Sequence, residues 1–172
     1  MNRSSRFVLK IALAGMFTAV AVVGSMIQFP VFGSQCAPVQ HMVNVICAVF
    51  LGPWWGVAVA FVASTLRNIL TLGSPMAFPG SMCGAALCGL VYWKSRNLPA
   101  TLCAEVIGTG VIGGLAAYPV AKLVMGLTPE TYTVYIVPFL ISTVAGSVLA
   151  GILVTALRRS GAFRSLGAGL EH

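Results

Sequence analysis

Charged residues are rare in this sequence, and their rarity constrains the possible fold more than any other feature does. The 172 residues include three acidic ones, Glu105, Glu130 and Glu171, and charged residues make up 8% of the chain. Soluble domains carry about 25% charged residues. Because 58% of the residues are hydrophobic, the chain has too few polar residues to form a surface exposed to water. We therefore expect an all-α integral membrane protein.

The length of the chain and the residues that mark helix ends predict its architecture. A spanning helix needs roughly 20 apolar residues, so the chain has room for a bundle of about six transmembrane helices joined by tight loops. Pro, Gly, aromatic and basic residues divide it into predicted helices at residues 7–29, 39–51, 54–72, 79–93, 99–125 and 132–157. The second is too short to cross an apolar layer of about 30 Å, so it is tilted or continued by the polar loop at 30–38.

We expect one transmembrane domain, residues 1–159, followed by a cytoplasmic tail at 160–172. The last three residues, Leu170, Glu171 and His172, are typical of the remnant of an expression tag. His41 is then the histidine that matters for function.

Basic residues predict the orientation in the membrane, because cytoplasmic loops carry an excess of Lys and Arg. With a cytoplasmic N-terminus, eight of the ten basic residues lie on the cytoplasmic side, namely Arg3, Arg6, Lys10, Lys94, Arg96, Arg158, Arg159 and Arg164. Both termini are then cytoplasmic. Arg67 and Lys122 fall instead in the outer halves of their helices. Such cations either extend to the outer interface or face a cavity or a partner.

Polar and aromatic side chains gather at the outer ends of five predicted helices. Gln40 and Asn44 share a helix face because they are four residues apart. The full set of candidate ligand-binding residues is Gln40, His41, Asn44, Arg67, Asn68, Phe78, Ser81, Met82, Tyr118, Lys122, Tyr132, Tyr135, Phe139 and Ser142. The inner halves are mostly apolar. This pattern predicts a small-molecule pocket open to the outside; the alternative is that these groups join helices through hydrogen bonds.

Glu105 lies at a different depth, near the cytoplasmic start of the fifth predicted helix. An inner cation such as Lys94 or Arg96 is one candidate partner. A polar contact between helices is the other, and direct contact with a ligand is less favoured.

Small residues spaced four apart predict close helix packing. The pairs are Gly80 with Gly84, Gly110 with Gly114, and Gly146 with Ala150. Gly15 and Ala19 form the same pattern on the first helix, where they either pack within the fold or receive a partner subunit.

The sequence has no motif of a hydrolase, a metal site or a phosphate-binding loop. We therefore expect neither enzyme activity nor a cofactor in this chain, and active transport would need ATP used by partner ATPases. Nucleic acid is not an expected partner, because the basic residues cluster at helix ends. A passive channel, a structural membrane subunit and an intramembrane enzyme based on His41 remain as alternatives, although a channel would need polar residues along the full depth of several helices.

Several ordered segments resemble a family of transporter subunits. They are residues 38–45 (PVQHMVNV), 51–56 (LGPWWG), 66–68 (LRN), 77–82 (AFPGSM), 105–110 (EVIGTG) and 117–120 (AYPV). Together they resemble the substrate-binding S components of energy-coupling factor (ECF) vitamin transporters, and more narrowly the ThiW subfamily. The resemblance covers the chain from Lys10 to about Arg159.

The resemblance implies a substrate bound at the extracellular side of the cell membrane, a membrane partner called the T component, two cytoplasmic ATPases, and toppling of the subunit to release substrate inward. The first helix of such subunits offers an AxxxA surface to the T component; here Gly15 replaces the first Ala and Ala19 is the second. ThiW proteins are assigned to hydroxyethylthiazole, the thiazole moiety of thiamin.

Such a ligand suits the candidate pocket. A neutral heteroaromatic ring would contact aromatic faces such as Phe78, Tyr132 and Tyr135. Its hydroxyethyl arm would reach amide or imidazole groups such as Gln40, His41 and Asn44. Arg67 and Lys122 favour a competing ligand with negative charge, such as a phosphorylated thiazole, and another small heterocycle is a further alternative.

Overall fold

A computed structural model describes residues 3–31 and 34–160 of the chain. The described residues form helices joined by short turns and one small β-hairpin. In chain order the elements are α1 (Arg3–Gly24), β1 (Phe29–Val31), β2 (Ser34–Cys36), α2 (Pro38–Phe50), α3 (Pro53–Ile69), α4 (Ala77–Ser95), α5 (Leu98–Leu123) and α6 (Ile136–Arg159). The middle of α5, Val106–Gly113, is π-helical. The predicted tail lies outside the described residues, except for Ser160.

Helices α1, α5 and α6 are long and apolar enough to cross a membrane. The prediction of a mostly helical chain is therefore confirmed, with three helices as candidate membrane spans by length and composition. Many large apolar side chains face outward; Trp54 and Trp93, for example, are 83% and 67% exposed. An exterior of this kind is stable against lipid rather than water.

Proline and glycine account for the tight turn between α2 and α3. Pro38 and Pro53 begin these two helices, at positions where the missing N–H has no helical partner to lose. Between the helices, Gly52 has a φ of +87°, a conformation that costs little without a Cβ. At 13 residues, α2 is about 20 Å long, too short to cross the bilayer alone, as predicted.

Helix α2 lies at the centre of the bundle and contacts all the other helices. Its first half brings polar side chains into the interior, and its second half, including Val45, Ile46 and Val49, belongs to the largest apolar cluster of the core. A short central helix with one polar and one apolar half therefore divides the interior into two zones.

Glycines let the neighbouring helices come close, as predicted for the small-residue pairs. A Cβ on Gly84 would lie 2.6 and 2.7 Å from the two carboxyl oxygens of Glu105 on α5. A Cβ on Gly80 would lie 2.8 Å from the ring of Phe139 on α6. Gly15 and Ala19, by contrast, are exposed on α1, and a Cβ on Gly15 would meet nothing within 4 Å.

The structure corrects the sequence prediction at three places. The first helix ends at Gly24 rather than at Phe29. The expected loop at 30–38 contains an antiparallel hairpin that pairs Phe29 with Cys36.

The third correction concerns the last helix, which begins at Ile136 rather than at Tyr132. The reason is Pro138, which is tolerated in the first turn of a helix but would break a hydrogen bond in a later turn.

Candidate ligand-binding site

A small polar cavity lies where the hairpin meets the ends of four helices. Residues of β2, the starts of α2, α4 and α6, and the end of α3 with its following turn contribute to it. The lining residues are Gln35, Ala37, Gln40, His41, Arg67, Gly73, Ser74, Met76, Ala77, Gly80, Ser81, Phe139 and Ser142. Its volume is about 40 Å³, which is space for one or two water molecules.

Two hydrogen bonds hold the hairpin segment against α6 beside the cavity. The backbone N–H of Ala37 donates to Ser142 Oγ at 3.0 Å, and Cys36 Sγ donates to the carbonyl of Pro138 at 3.2 Å. Burial raises the pKa of the Cys36 thiol, so this thiol is a protonated donor at neutral pH. The hairpin therefore contacts α6 through its own backbone and thiol.

Arg67 is a cation buried in the cavity wall. It is 4% exposed, and one guanidinium nitrogen donates to Gln40 Oε1. Its Nε has no hydrogen-bond partner in the part of the chain that the structure describes. A buried charge with so few partners is expensive in a membrane protein and is typical of a functional site.

A directed chain of hydrogen bonds leads away from Arg67. Gln40 accepts from Arg67 and donates through Nε2 to Ser64 Oγ at 3.3 Å. Ser81 Oγ donates to the carbonyl of Ala77 at 2.7 Å, so Ser64 must be the donor in its 2.9 Å contact with Ser81. Each hydrogen bond in this series thus has a defined donor and acceptor, and together the bonds hold the Gln40 side chain in one orientation in the cavity wall.

Glu105 lies behind the cavity and is fully buried. Its Oε1 contacts Asn44 Nδ2 at 3.0 Å, Thr109 Oγ1 at 2.9 Å and His41 Nδ1 at 3.2 Å. Its Oε2 has no hydrogen-bond partner among residues 3–31 and 34–160. Two alternatives were predicted for Glu105, an ion pair with Lys94 or Arg96 and a polar contact between helices. The polar contact between helices is the one observed.

The π-helical stretch of α5 begins directly after Glu105 and contains Thr109. Thr109 Oγ1 contacts both Glu105 and the carbonyl of Gly80 on α4, the latter at 3.2 Å. Such π-helical segments occur frequently at functional sites. Here the segment joins the carboxylate, α4 and the cavity wall.

The structure places several predicted site residues around the cavity. Gln40, His41, Arg67, Ser81, Phe139 and Ser142 line it. Asn44 lies directly below and donates to both the Ser81 carbonyl and Glu105. Asn68 donates to the carbonyls of Ser64 and Ser74, so it holds the turn after α3 against the end of that helix.

The other predicted site residues do not line the cavity. Phe78 packs on Phe61, with ring centroids 5.7 Å apart, and Tyr118 stacks on Tyr132 at 3.8 Å. Tyr135 is buried in a small cluster with Met76, and Met82 is half-buried. Lys122 is exposed on the surface of α5.

Three residues of the site carried a signal that the sequence analysis missed. Gln35 and Ser74 lie in polar turns beside predicted helix ends. Ser64 is three residues before Arg67, on the same face of α3. For Glu105, the sequence analysis missed the contact with Thr109, four residues later on the same helix.

A bundle of apolar helices with a polar cavity between helix ends is the architecture of a membrane protein that binds a small molecule. The family model for ThiW, described as "Thiamine-precursor transporter protein (ThiW)", matches residues 11–160. The chain therefore belongs to the ThiW family of thiamine-precursor transporter proteins, as the sequence resemblance predicted. A comparison with curated proteins finds no match to this chain.

Proposed function

We propose that this chain is the substrate-binding S component of an ECF transporter, and that it captures hydroxyethylthiazole from outside the cell for ATP-driven uptake. The observation that supports this function best is the cavity. It combines a buried cation, an imidazole, an amide and hydroxyls with the aromatic ring of Phe139. Few but directed polar groups around an aromatic contact suit a small polar heterocycle.

The distribution of charge supports a site that faces outward. Lys10 and Arg96 lie together at one end of the bundle, where Arg158 donates to Tyr92. The cavity lies among the opposite ends of the helices. Because cytoplasmic ends are rich in Lys and Arg, we propose a bundle of six transmembrane helices with both termini in the cytoplasm and the cavity on the extracellular side of the cell membrane.

A ring the size of thiazole is larger than the 40 Å³ cavity. Binding of the ligand therefore requires the lining to move apart, and we expect the hydrogen bond between Ala37 and Ser142 to be lost in that movement. One such bond contributes about 0.5–1.5 kcal/mol, a cost that contacts with the ligand readily offset.

The apolar half of α2 favours a binding subunit over a passive channel. Below Asn44, the residues Val45, Ile46, Ala48 and Val49 are buried in an apolar cluster that also contains Val154 of α6. A continuous polar path through the centre of the bundle would have to cross this cluster. Transport then depends on movement of the whole subunit, driven by the ATPases through a T component.

Helix α1 is the proposed contact for the T component. Gly15 and Ala19 are exposed, and the space beside Gly15 is open. A flat surface of small residues lets a partner helix approach closely in the bilayer.

A phosphorylated thiazole is the second candidate ligand, and Arg67 is the observation that favours it. The guanidinium lies in the cavity wall, and its Nε has no partner among the described residues. An anionic phosphate would be a natural acceptor for that group.

A competition experiment separates the two ligands. The purified protein in detergent is titrated with hydroxyethylthiazole, with thiamin and the phosphorylated thiazole as competitors. We expect saturable binding of the neutral thiazole and weak competition by the phosphate. Preference for the phosphate that disappears in Arg67→Ala but persists in Lys122→Ala, a matched removal of an exposed cation, would replace the first ligand by the second. Absence of binding by both would contradict the proposed function.

A further inference from the structure

Glu105 is outside the cavity lining, yet it contacts a residue that lines it. Asn44 Nδ2 donates to its Oε1, and His41 Nδ1 and Thr109 Oγ1 contact the same oxygen. The single hydroxyl proton of Thr109 also has the Gly80 carbonyl within reach, at 3.2 Å against 2.9 Å for Oε1. An ionised carboxylate is the strongest acceptor for such donors, and in that state Oε1 accepts from His41.

The contact with Glu105 decides which ring nitrogen of His41 carries the proton. The 3.2 Å contact is made by Nδ1, and an ionised Glu105 can only accept in this contact, which requires a proton on Nδ1. In a neutral imidazole the other nitrogen is then an unprotonated acceptor. Nε2 makes no hydrogen bond to the described residues, and the ring lines the cavity.

Two buried side chains beside the cavity differ in formal charge. Arg67 is 4% exposed and Glu105 is fully buried. A positive guanidinium, a negative carboxylate and a neutral imidazole sum to zero, and net charge is costly in a region of low dielectric.

We propose that Glu105 is a positioning residue that holds His41 in the Nδ1–H tautomer, so that Nε2 accepts a hydrogen bond from the ligand. The cavity then selects a neutral molecule that presents an O–H or N–H donor to His41. The identity of that molecule as a hydroxyethylthiazole rests on the proposed function; the tautomer does not.

The tautomer is measured directly by nitrogen NMR on protein labelled with ¹⁵N-histidine, without any ligand. The chain has two histidines, and His41→Gln assigns the ring signals of His41 by removing them. We expect one protonated nitrogen, Nδ1, at neutral pH. A ring protonated at Nε2 alone, or at both nitrogens, would overturn the proposal.

Variants of Glu105 separate positioning from a merely structural role. In Glu105→Gln, the amide oxygen should occupy the position of Oε1, because Asn44 and Thr109 can donate to an oxygen there but not to an NH₂ group. We therefore expect the Nδ1–H tautomer to persist. In Glu105→Leu, the acceptor is lost and the Nε2–H form should appear. Thr109→Val is the matched control, because it removes another donor to the same carboxylate without touching His41. An unchanged tautomer in Glu105→Leu would overturn the proposal.

The functional consequence is measured with a pair of ligands, hydroxyethylthiazole and its methyl ether, which lacks the O–H donor. Wild-type protein should bind the alcohol about tenfold more tightly than the ether, the cost of a buried acceptor left without a partner. In Glu105→Leu the difference should fall to about twofold or less. Equal binding of alcohol and ether by wild-type protein would overturn the donor requirement. If neither compound binds, the proposed function fails, and the NMR result on ligand-free protein still decides the tautomer.

Discussion

At the scale of single residues, Asn44 and Asn68 show how burial distinguishes two amides that make similar hydrogen bonds. Asn44 is 2% exposed and spends both amide hydrogens on fixed partners, the carbonyl of Ser81 and the carboxylate of Glu105. Asn68 also makes two such bonds, to the carbonyls of Ser64 and Ser74, but it is half-buried. The two amides therefore differ in burial more than in bonding.

This difference predicts the effect of removing each amide. Asn44→Ala removes one donor from a buried carboxylate and one from a buried carbonyl, where no water can replace it, so it should destabilise the protein by about 1–3 kcal/mol. Asn68→Ala should cost less than about 1 kcal/mol, because water replaces the lost donor. The unfolding temperature in detergent is the measurement. Equal losses in the two variants would show that burial does not set the cost.

At the scale of helices and strands, the packing of α4 against α5 depends on Gly84. Its place opposite Glu105 leaves no room for a side chain. Gly84→Ala should push the two helices apart and destabilise the protein by about 1–3 kcal/mol. Gly15→Ala on exposed α1 is the control and should be neutral or slightly stabilising, because Ala favours helix by about 1 kcal/mol. A neutral Gly84→Ala in the same thermal measurement would contradict the observed contact.

The helices could be predicted from sequence because Pro, Gly and basic residues mark their ends. The hairpin could not, because Phe29–Val31 includes Pro30, a residue that usually argues against a paired strand. The position of a side chain along the helix axis could also be predicted, since hydropathy and charge vary along each helix. The side of the helix on which it lies could not be predicted. Lys122 and Tyr132 share the depth of Arg67 but face away from the cavity, and the contact of Glu105 with His41 depends on how α2 and α5 pack.

At the scale of the whole molecule, the proposed orientation places the α4–α5 turn in the cytoplasm and the α5–α6 loop outside. Ser95 is the last residue of α4, directly before the first connection, and Thr128 lies in the second; both are exposed. In intact cells, a membrane-impermeant thiol reagent should label Thr128→Cys, and Ser95→Cys only after permeabilisation. The parent protein, with its native cysteines, is the control. The reverse pattern would invert the topology and place the cavity on the cytoplasmic side.

The central claim is that the cavity between the hairpin, α2, α4 and α6 binds the thiamine precursor. Two aromatic residues near the outer end test it most directly, because Phe139 lines the cavity and Tyr132 stacks on Tyr118 outside it. The measurement is a binding titration of hydroxyethylthiazole against the wild-type protein, Phe139→Ala and Tyr132→Ala. We predict that Phe139→Ala weakens binding about tenfold, as expected for loss of a buried aromatic contact, and that Tyr132→Ala stays within about twofold of wild type. Weakening by Tyr132→Ala with no effect of Phe139→Ala would place the ligand elsewhere and contradict the account.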